Sequence, residues 1–188
     1  MHSQFRSGDA LIIVDVQNDF CPGGALPVPA GDAVIPVCNE WLAAAKKAGI
    51  PIIASRDWHP VSHCSFEEQG GPWPVHCVQD TDGAKFHPDL KLPDDAVRVS
   101  KATAFDQDAY SAFDGTGLAG YLRQHDVSRL WVAGLAEDVC VLQTVLGGRK
   151  EGFDVNLIPD GTRPVDPEAT QRVENEMREA GARLPRAA

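Results

Sequence analysis

The stretch LAEDVCV, residues 135–141, joins two patterns that together decide the fold. An apolar run at residues 129–134 precedes it and is typical of a buried strand, while residues 142–146 can continue a helix. Cys140 is therefore expected where a strand passes into a helix. At that position the thiol is either packed in the core, where free cysteines are common, or held out at the end of a sheet as a nucleophile.

Strands and helices alternate along the chain. Apolar runs predict five strands, at residues 10–15, 50–55, 97–100, 130–134 and 155–158. Apolar side chains at helical spacing and helix-compatible stretches predict four helices, at residues 32–48, 118–124, 137–151 and 167–181. This alternation indicates one α/β domain over residues 1–188, a three-layer doubly wound sandwich with a mainly parallel central sheet.

Individual residues refine the predicted helices. Asp32 is placed to cap the helix over residues 32–48, and Gly49 is placed to end it. Gly147 and Gly148 lie inside the next long helix, where each costs about 1 kcal/mol relative to alanine. The sequence therefore predicts that this second helix is irregular.

Composition narrows the classes of function. The net charge of −10 argues against a nucleic-acid partner and against electrostatic binding to an anionic membrane surface. No apolar run reaches the length of a membrane span, and the first residues lack the apolar core of a signal peptide. The five cysteines are odd in number and form no C-x-x-C pair, so we expect reduced thiols and a cytoplasmic location.

Chemically notable side chains follow four of the predicted strands. They are Asp15, Asp57, Lys101 and Cys140. Because the ligands of open parallel sheets bind beyond the carboxyl ends of the strands, these side chains are expected at the functional edge. Four such residues at one edge are difficult to explain by packing.

A candidate metal site lies in the long irregular region at residues 57–95. Asp57 and His59 stand two apart on extended chain, so their side chains point the same way, and His76 can supply a third ligand. Two histidines and a carboxylate with open positions are common in catalytic zinc or iron sites. Surface histidines in a polar loop are the alternative, and the spacing leaves open whether His63 is a fourth ligand.

Asp15, Lys101 and Cys140 form a candidate catalytic group. The thiolate is the nucleophilic form of cysteine, and both Lys101 and a helix N-terminus would favour it. Asp15 could accept the thiol proton as a general base. Taken singly, each residue also has an ordinary structural explanation, as a strand-end acid, a snorkelling lysine or a core thiol. Their shared sheet edge is what favours the catalytic interpretation.

Together these motifs resemble the isochorismatase-like cysteine hydrolases over nearly the whole chain. The matching stretches are Ile13-Val-Asp-Val-Gln-Asn-Asp-Phe-Cys-Pro-Gly-Gly24, Arg56-Asp-Trp-His-Pro60, Gly71-Pro-Trp-Pro-Val-His-Cys-Val78, Gly83-Ala-Lys-Phe86, Lys101 and Gly134-Leu-Ala-Glu-Asp-Val-Cys-Val141. Several long motifs in the right order are far more specific than one. The presence of Cys140 points away from isochorismatases proper, which lack the nucleophile.

The resemblance implies a role for each matching residue. The residues that match the catalytic triad are Asp15, Lys101 and Cys140. Those that match the metal ligands are Asp57, His59 and His76. Those that match the substrate pocket are Phe20 and Trp73, on either side of the substrate ring, and Tyr110. The peptide bond from Leu135 to Ala136 matches a cis position, which would aim the N–H groups of Ala136 and Cys140 at an oxyanion.

The implied activity is the hydrolysis of nicotinamide to nicotinate and ammonia through a cysteine thioester, in NAD salvage. The implied cofactor is one divalent metal ion, with zinc expected first and iron or manganese as alternatives. The expected partner is a small molecule, and assembly into a homo-oligomer stays open. Two alternatives also stay open: a related cysteine amidase acting on a ureido or carbamoyl substrate, and a non-catalytic thiol or metal-binding protein.

Overall fold

The computed structural model describes residues 5–185, and five strands and four α-helices form its frame. In chain order they are β1 (Asp9–Val14), α1 (Ile35–Ala48), β2 (Ile52–Asp57), β3 (Val97–Lys101), α2 (Leu118–Gln124), β4 (Arg129–Leu135), α3 (Leu142–Lys150), β5 (Asp154–Arg163) and α4 (Thr170–Glu179). Every predicted strand and helix is present; α2 has the predicted bounds, and the others have at least one shifted end. The predicted strand at residues 155–158 is the most changed, since β5 runs on to Arg163.

The five strands form one sheet in the order β3-β2-β1-β4-β5, and every pair of neighbours is parallel. Alternate residues of β1 point to opposite faces. Leu11 and Ile13 pack in the apolar cluster that contains α1, whereas Ile12 packs with α2, α3 and α4. Helices thus cover both faces, which confirms the predicted three-layer α/β sandwich.

The start of α1 differs from the prediction. A 3-10 turn at Gly31–Val34 precedes the helix, and Asp32 lies in that turn and makes no capping hydrogen bond with its side chain. Gly49 does end the helix, with a left-handed φ of 68° that glycine adopts without strain.

The helix predicted at residues 137–151 has two parts. A π-helical turn covers Glu137–Val141 and contains Cys140, and the regular helix α3 follows it. The glycines do not disrupt α3, so the irregularity lies one turn earlier than predicted. A Cβ atom at Gly148 would lie 3.1 Å from Leu130, which shows that the glycine lets the helix approach the sheet closely.

Among residues 5–185, no helix combines the length and the apolar character that crossing a membrane requires.

Candidate active site

The register of the sheet brings the ends of four strands together. Val14 pairs with both Ser55 and Gly134, and Asp57 pairs with Lys101. The residues just beyond these pairs therefore share one edge of the sheet, as the sequence predicted.

Lys101 occupies the centre of this edge and is 1% exposed. Its Nζ lies 2.8 Å from Oδ2 of Asp15 and 3.5 Å from Sγ of Cys140, and it also donates a hydrogen bond to Asp57. Burial alone would lower the pKa of Lys101, but the charges of Asp15 and Asp57 hold that pKa well above its ordinary value. Lys101 is thus a fixed cation that joins the two carboxylates to the thiol.

Asp15 and Cys140 are arranged for a proton transfer. A carboxylate oxygen of Asp15 lies within 4.8 Å of the Cys140 sulfur. Burial raises the pKa of Cys140 well above its ordinary value against the opposing effect of Lys101, so the resting group is a thiol. Burial also raises the pKa of Asp15, although Lys101 opposes that shift. A buried thiol needs a nearby base, and Asp15 is placed to be that base.

Two polar side chains that sequence analysis gave no role support these groups. Ser55 donates a hydrogen bond of 2.7 Å to Oδ1 of Asp15. The buried amide of Gln17 donates to the carbonyl oxygens of Asp57 and Ala84 at 2.9 Å and accepts from the Asp57 N–H at 2.8 Å. Two sequence features could have indicated these supporting roles: Ser55 is a polar residue inside an apolar strand, and Gln17 belongs to the first matching motif.

The donor atoms of Asp57, His59 and His76 all lie within 4.8 Å of one another, and the three residues are buried. Nδ1 of His59 is 2.9 Å from the carbonyl oxygen of His76. Nδ1 of His76 is 2.7 Å from the carbonyl oxygen of Pro74. Each Nδ1 must carry the proton in these bonds, which leaves Nε2 as the metal-binding atom of each ring. Burial lowers the pKa of His59 to about 3, so its ring is neutral, as a ligand must be. These residues fit a divalent ion.

His63 is adjacent to this group but is engaged elsewhere. Its Nδ1 lies 2.7 Å from the Ser65 hydroxyl oxygen, and its Nε2 lies 2.9 Å from the carbonyl oxygen of Gln107. A second set of donor atoms, from His59, His63 and Asp108, also lies within 4.8 Å. Because both ring nitrogens of His63 are hydrogen-bonded, the arrangement favours a supporting role beside the site for it over that of a fourth ligand.

A cavity opens beside Cys140, and its walls are largely apolar and aromatic. The lining residues are Phe20, Leu26, Pro27, Val28, Asp57, His59, Ser65, Trp73, His76, Asp108, Ala109, Tyr110, Ala136, Val139, Cys140 and Val165. Trp73 donates a hydrogen bond of 3.2 Å to the Tyr110 hydroxyl. The pocket residues predicted from the resemblance, Phe20, Trp73 and Tyr110, therefore share one cavity with the sulfur and the candidate metal ligands.

The backbone before Cys140 offers hydrogen-bond donors to this cavity. The peptide bond between Leu135 and Ala136 is cis, as the resemblance implied. Within residues 5–185 no backbone carbonyl accepts from the Ala136 N–H. The carbonyl oxygen of Ala136, four residues before Cys140, accepts instead from the N–H groups of Val139 and Val141 at 3.1 and 3.0 Å.

The sequence profile of the Isochorismatase domain matches residues 9–188. The chain belongs to the Isochorismatase domain family. Its sequence is 41% identical over 198 residues to the nicotinamidase of Escherichia coli (strain K12), covering 93% of each chain.

Solved structures of this family agree with the fold. The pyrazinamidase of Pyrococcus horikoshii in complex with zinc superposes with a TM-score of 0.92 at 49% identity, over 96% of this chain and 99% of that one. PnC1 from L. infantum in complex with nicotinate gives a TM-score of 0.88 at 38% identity, over 99% of this chain and 96% of that one. Each match therefore extends over nearly the whole of both chains.

Proposed function

We propose that the protein is an amidohydrolase that converts nicotinamide to nicotinate and ammonia, in NAD salvage. The similarity to the Escherichia coli nicotinamidase along most of both chains supports this assignment. The observation that carries it is the contact of Lys101 with both Asp15 and Cys140, beside a cavity with aromatic walls.

In the proposed first half-reaction, Asp15 accepts the proton of the Cys140 thiol, and the sulfur attacks the carboxamide carbon. The N–H groups of Ala136 and Cys140 donate to the oxyanion that forms, and losing one such donor typically costs about 100- to 1000-fold in rate. Asp15 then returns the proton to the leaving nitrogen. The carbon–nitrogen bond breaks, ammonia leaves, and a nicotinoyl thioester remains on the sulfur.

In the second half-reaction, Asp15 accepts a proton from water as the water oxygen attacks the thioester carbon. The same N–H groups stabilise the second oxyanion. The carbon–sulfur bond then breaks, and the proton held by Asp15 restores the thiol of Cys140. Nicotinic acid leaves and releases its remaining proton to solvent as nicotinate. Lys101 keeps its charge throughout and stabilises the negative charge of the thiolate as it forms.

Asp57, His59 and His76 are the proposed ligands of one divalent ion. A bound ion of this kind supplies a Lewis-acid contact that orients the pyridine ring through its nitrogen. Zinc is proposed first, because the pyrazinamidase of Pyrococcus horikoshii was solved with zinc, and iron or manganese are the alternatives.

Phe20 and Trp73 are the proposed walls that contact the two faces of the substrate ring, with Tyr110 as a further pocket residue. A flat heteroaromatic ring gains most from such walls when water is excluded from both of its faces. We also propose a cytoplasmic location, because the five cysteines are all unpaired. Assembly into a homo-oligomer stays a prediction that light scattering can test.

Ammonia release from a substrate panel tests the proposed function. The panel contains nicotinamide, pyrazinamide and a ureido acid, each with and without a chelator. We expect turnover of nicotinamide that the chelator lowers and that added zinc restores. Faster turnover of the ureido acid than of nicotinamide would assign the protein to the sister amidases instead.

A further inference from the structure

Two acidic residues of the turn that carries Cys140 tie the segment after β5 to the active site. The carboxylate of Asp138 accepts the N–H of Val165 at 2.8 Å on one oxygen and the N–H of Asp166 at 2.9 Å on the other. The neighbouring Glu137 accepts a hydrogen bond of 2.6 Å from the Thr162 hydroxyl. The turn that carries Cys140 is therefore hydrogen-bonded both to the end of β5 and to the residues that follow it.

This segment is stiff as well as tethered. Pro164 and Pro167 enclose Val165 and Asp166, and a proline fixes its own φ and restricts the residue before it. Asp166 accordingly has an extended backbone, with φ −110° and ψ 104°. The two hydrogen bonds to the carboxylate of Asp138 connect this restricted segment directly to the turn that carries Cys140.

Val165 is the residue of this segment that faces the substrate cavity. It lines the same cavity as Cys140 and Trp73, and its side chain is 38% exposed. A branched apolar side chain with this exposure at a cavity wall presents surface that a ring-shaped ligand can cover. By contrast, Val61 is 78% exposed and does not line the cavity.

We propose that Val165 is a specificity-determining residue of the amidase site and that Asp138 is the positioning residue that holds it there. Val165 selects unsubstituted flat heteroaromatic carboxamides against those that carry ring substituents. This inference rests on the proposed function and deepens it, because it names the side chain that limits the size of the ring.

The first test is Val165→Ala, assayed on nicotinamide and on a set of ring-methylated nicotinamides. One or two methyl groups in a pocket change selectivity about 10-fold or more. We therefore expect kcat/KM for at least one methylated amide, relative to nicotinamide, to rise about 10-fold, and Val165→Leu to lower that ratio. Val61→Ala is the matched control and should leave the ratio unchanged. Equal ratios in wild type and Val165→Ala for every methylated amide would overturn the proposal.

The second test is Asp138→Asn, in which the single amide oxygen cannot replace both carboxylate contacts. Losing a hydrogen bond to a charged group predicts a rise of about 10-fold in KM for nicotinamide with little change in kcat. When Val165→Ala is already present, Asp138→Asn should raise the KM for nicotinamide much less. Asp154→Asn, on the surface beside Arg149, is the control.

These experiments distinguish failure of the roles proposed for Val165 and Asp138 from failure of the proposed function. If Asp138→Asn only lowers thermal stability and leaves KM unchanged, its role is structural and the positioning proposal is wrong. If the wild type releases no ammonia from nicotinamide, the proposed function itself fails. Normal turnover with unaltered selectivity in Val165→Ala contradicts the inference alone.

Discussion

Lys101 contacts Cys140 across the sheet, with 3.5 Å between Nζ and Sγ, although β2 and β1 separate their strands. Lys101 is the last residue of β3, the outermost strand on one side of the sheet, and Cys140 lies in the turn that follows β4. Only the shared direction of the strands lets these two side chains meet. The contact therefore depends on the fold as a whole, and it connects the thiol to Asp15.

Lys101→Met should lower both stability and turnover. The change leaves the carboxylates of Asp15 and Asp57 buried without their cation, and removing one partner of a buried pair costs about 3–5 kcal/mol. We expect urea denaturation to show a loss of this size in the free energy of unfolding, and ammonia release to fall at least about 100-fold. Lys47→Met, on the exposed side of α1, is the control. A stability loss below about 1 kcal/mol, the value of a surface ion pair, would contradict the prediction.

Ser55→Ala should shift the pH dependence of the reaction. Burial already raises the pKa of Asp15, and the Ser55 hydroxyl partly offsets that effect by stabilising the charged carboxylate. Without the hydroxyl the pKa rises further, so the base form of Asp15 appears only at higher pH. The acid limb of the kcat/KM profile should therefore move to higher pH. Ser62→Ala, on the surface, should leave the limb in place, and a downward shift in Ser55→Ala would refute the assignment of Asp15.

The side chains at the carboxyl ends of the strands could be predicted from the sequence because the patterns that mark strands are local. Apolar runs mark the strands, and parallel strands necessarily present their carboxyl ends together. Asp15, Asp57 and Lys101 could therefore be placed without knowledge of their contacts. Each lies at or beside the end of its strand in the structure, and Cys140 lies in the first turn after β4.

The supporting contacts could not be predicted because they join distant parts of the chain. The Gln17 side chain donates hydrogen bonds to Asp57, 40 positions along the chain, and to Ala84, 67 positions along it. Nothing in the local sequence pattern identifies those partners. The π-helical turn around Cys140 was missed for a related reason. Its residues are compatible with an ordinary helix, and tertiary contacts such as those of Glu137 and Asp138 accompany the wider turn.

His76→Gln and His63→Gln should distinguish a proposed metal ligand from a neighbouring histidine that is hydrogen-bonded elsewhere. His76 presents Nε2 to the site 3.9 Å from Asp57, whereas His63 uses both ring nitrogens in hydrogen bonds. We expect His76→Gln to reduce the bound metal measured by mass spectrometry at least about 10-fold, as loss of a supporting contact alone can. His63→Gln should keep nearly the full metal content. Equal losses in both variants would make His63 a fourth ligand.

The metal-free protein should lose stability in mild acid through His59. Its pKa falls from 6.5 to about 3 on folding, mainly because of burial, so the unfolded chain binds a proton that the folded protein does not. The free energy of unfolding should therefore fall as the pH decreases from 6.5 towards 3. Urea denaturation of chelator-treated protein over this range measures the slope. His59→Gln should reduce the slope, and an unchanged slope in that variant would contradict the assignment.

The central claim is that Cys140 is the nucleophile of a nicotinamide amidohydrolase. Ammonia release from nicotinamide by wild type, Cys140→Ala and Cys38→Ala tests it most directly, because Cys38 is also buried but lies on the opposite face of the sheet. We predict normal turnover in wild type and Cys38→Ala, and a loss of at least about 1000-fold in Cys140→Ala with its fold and metal content intact. Wild-type turnover in Cys140→Ala would contradict the account.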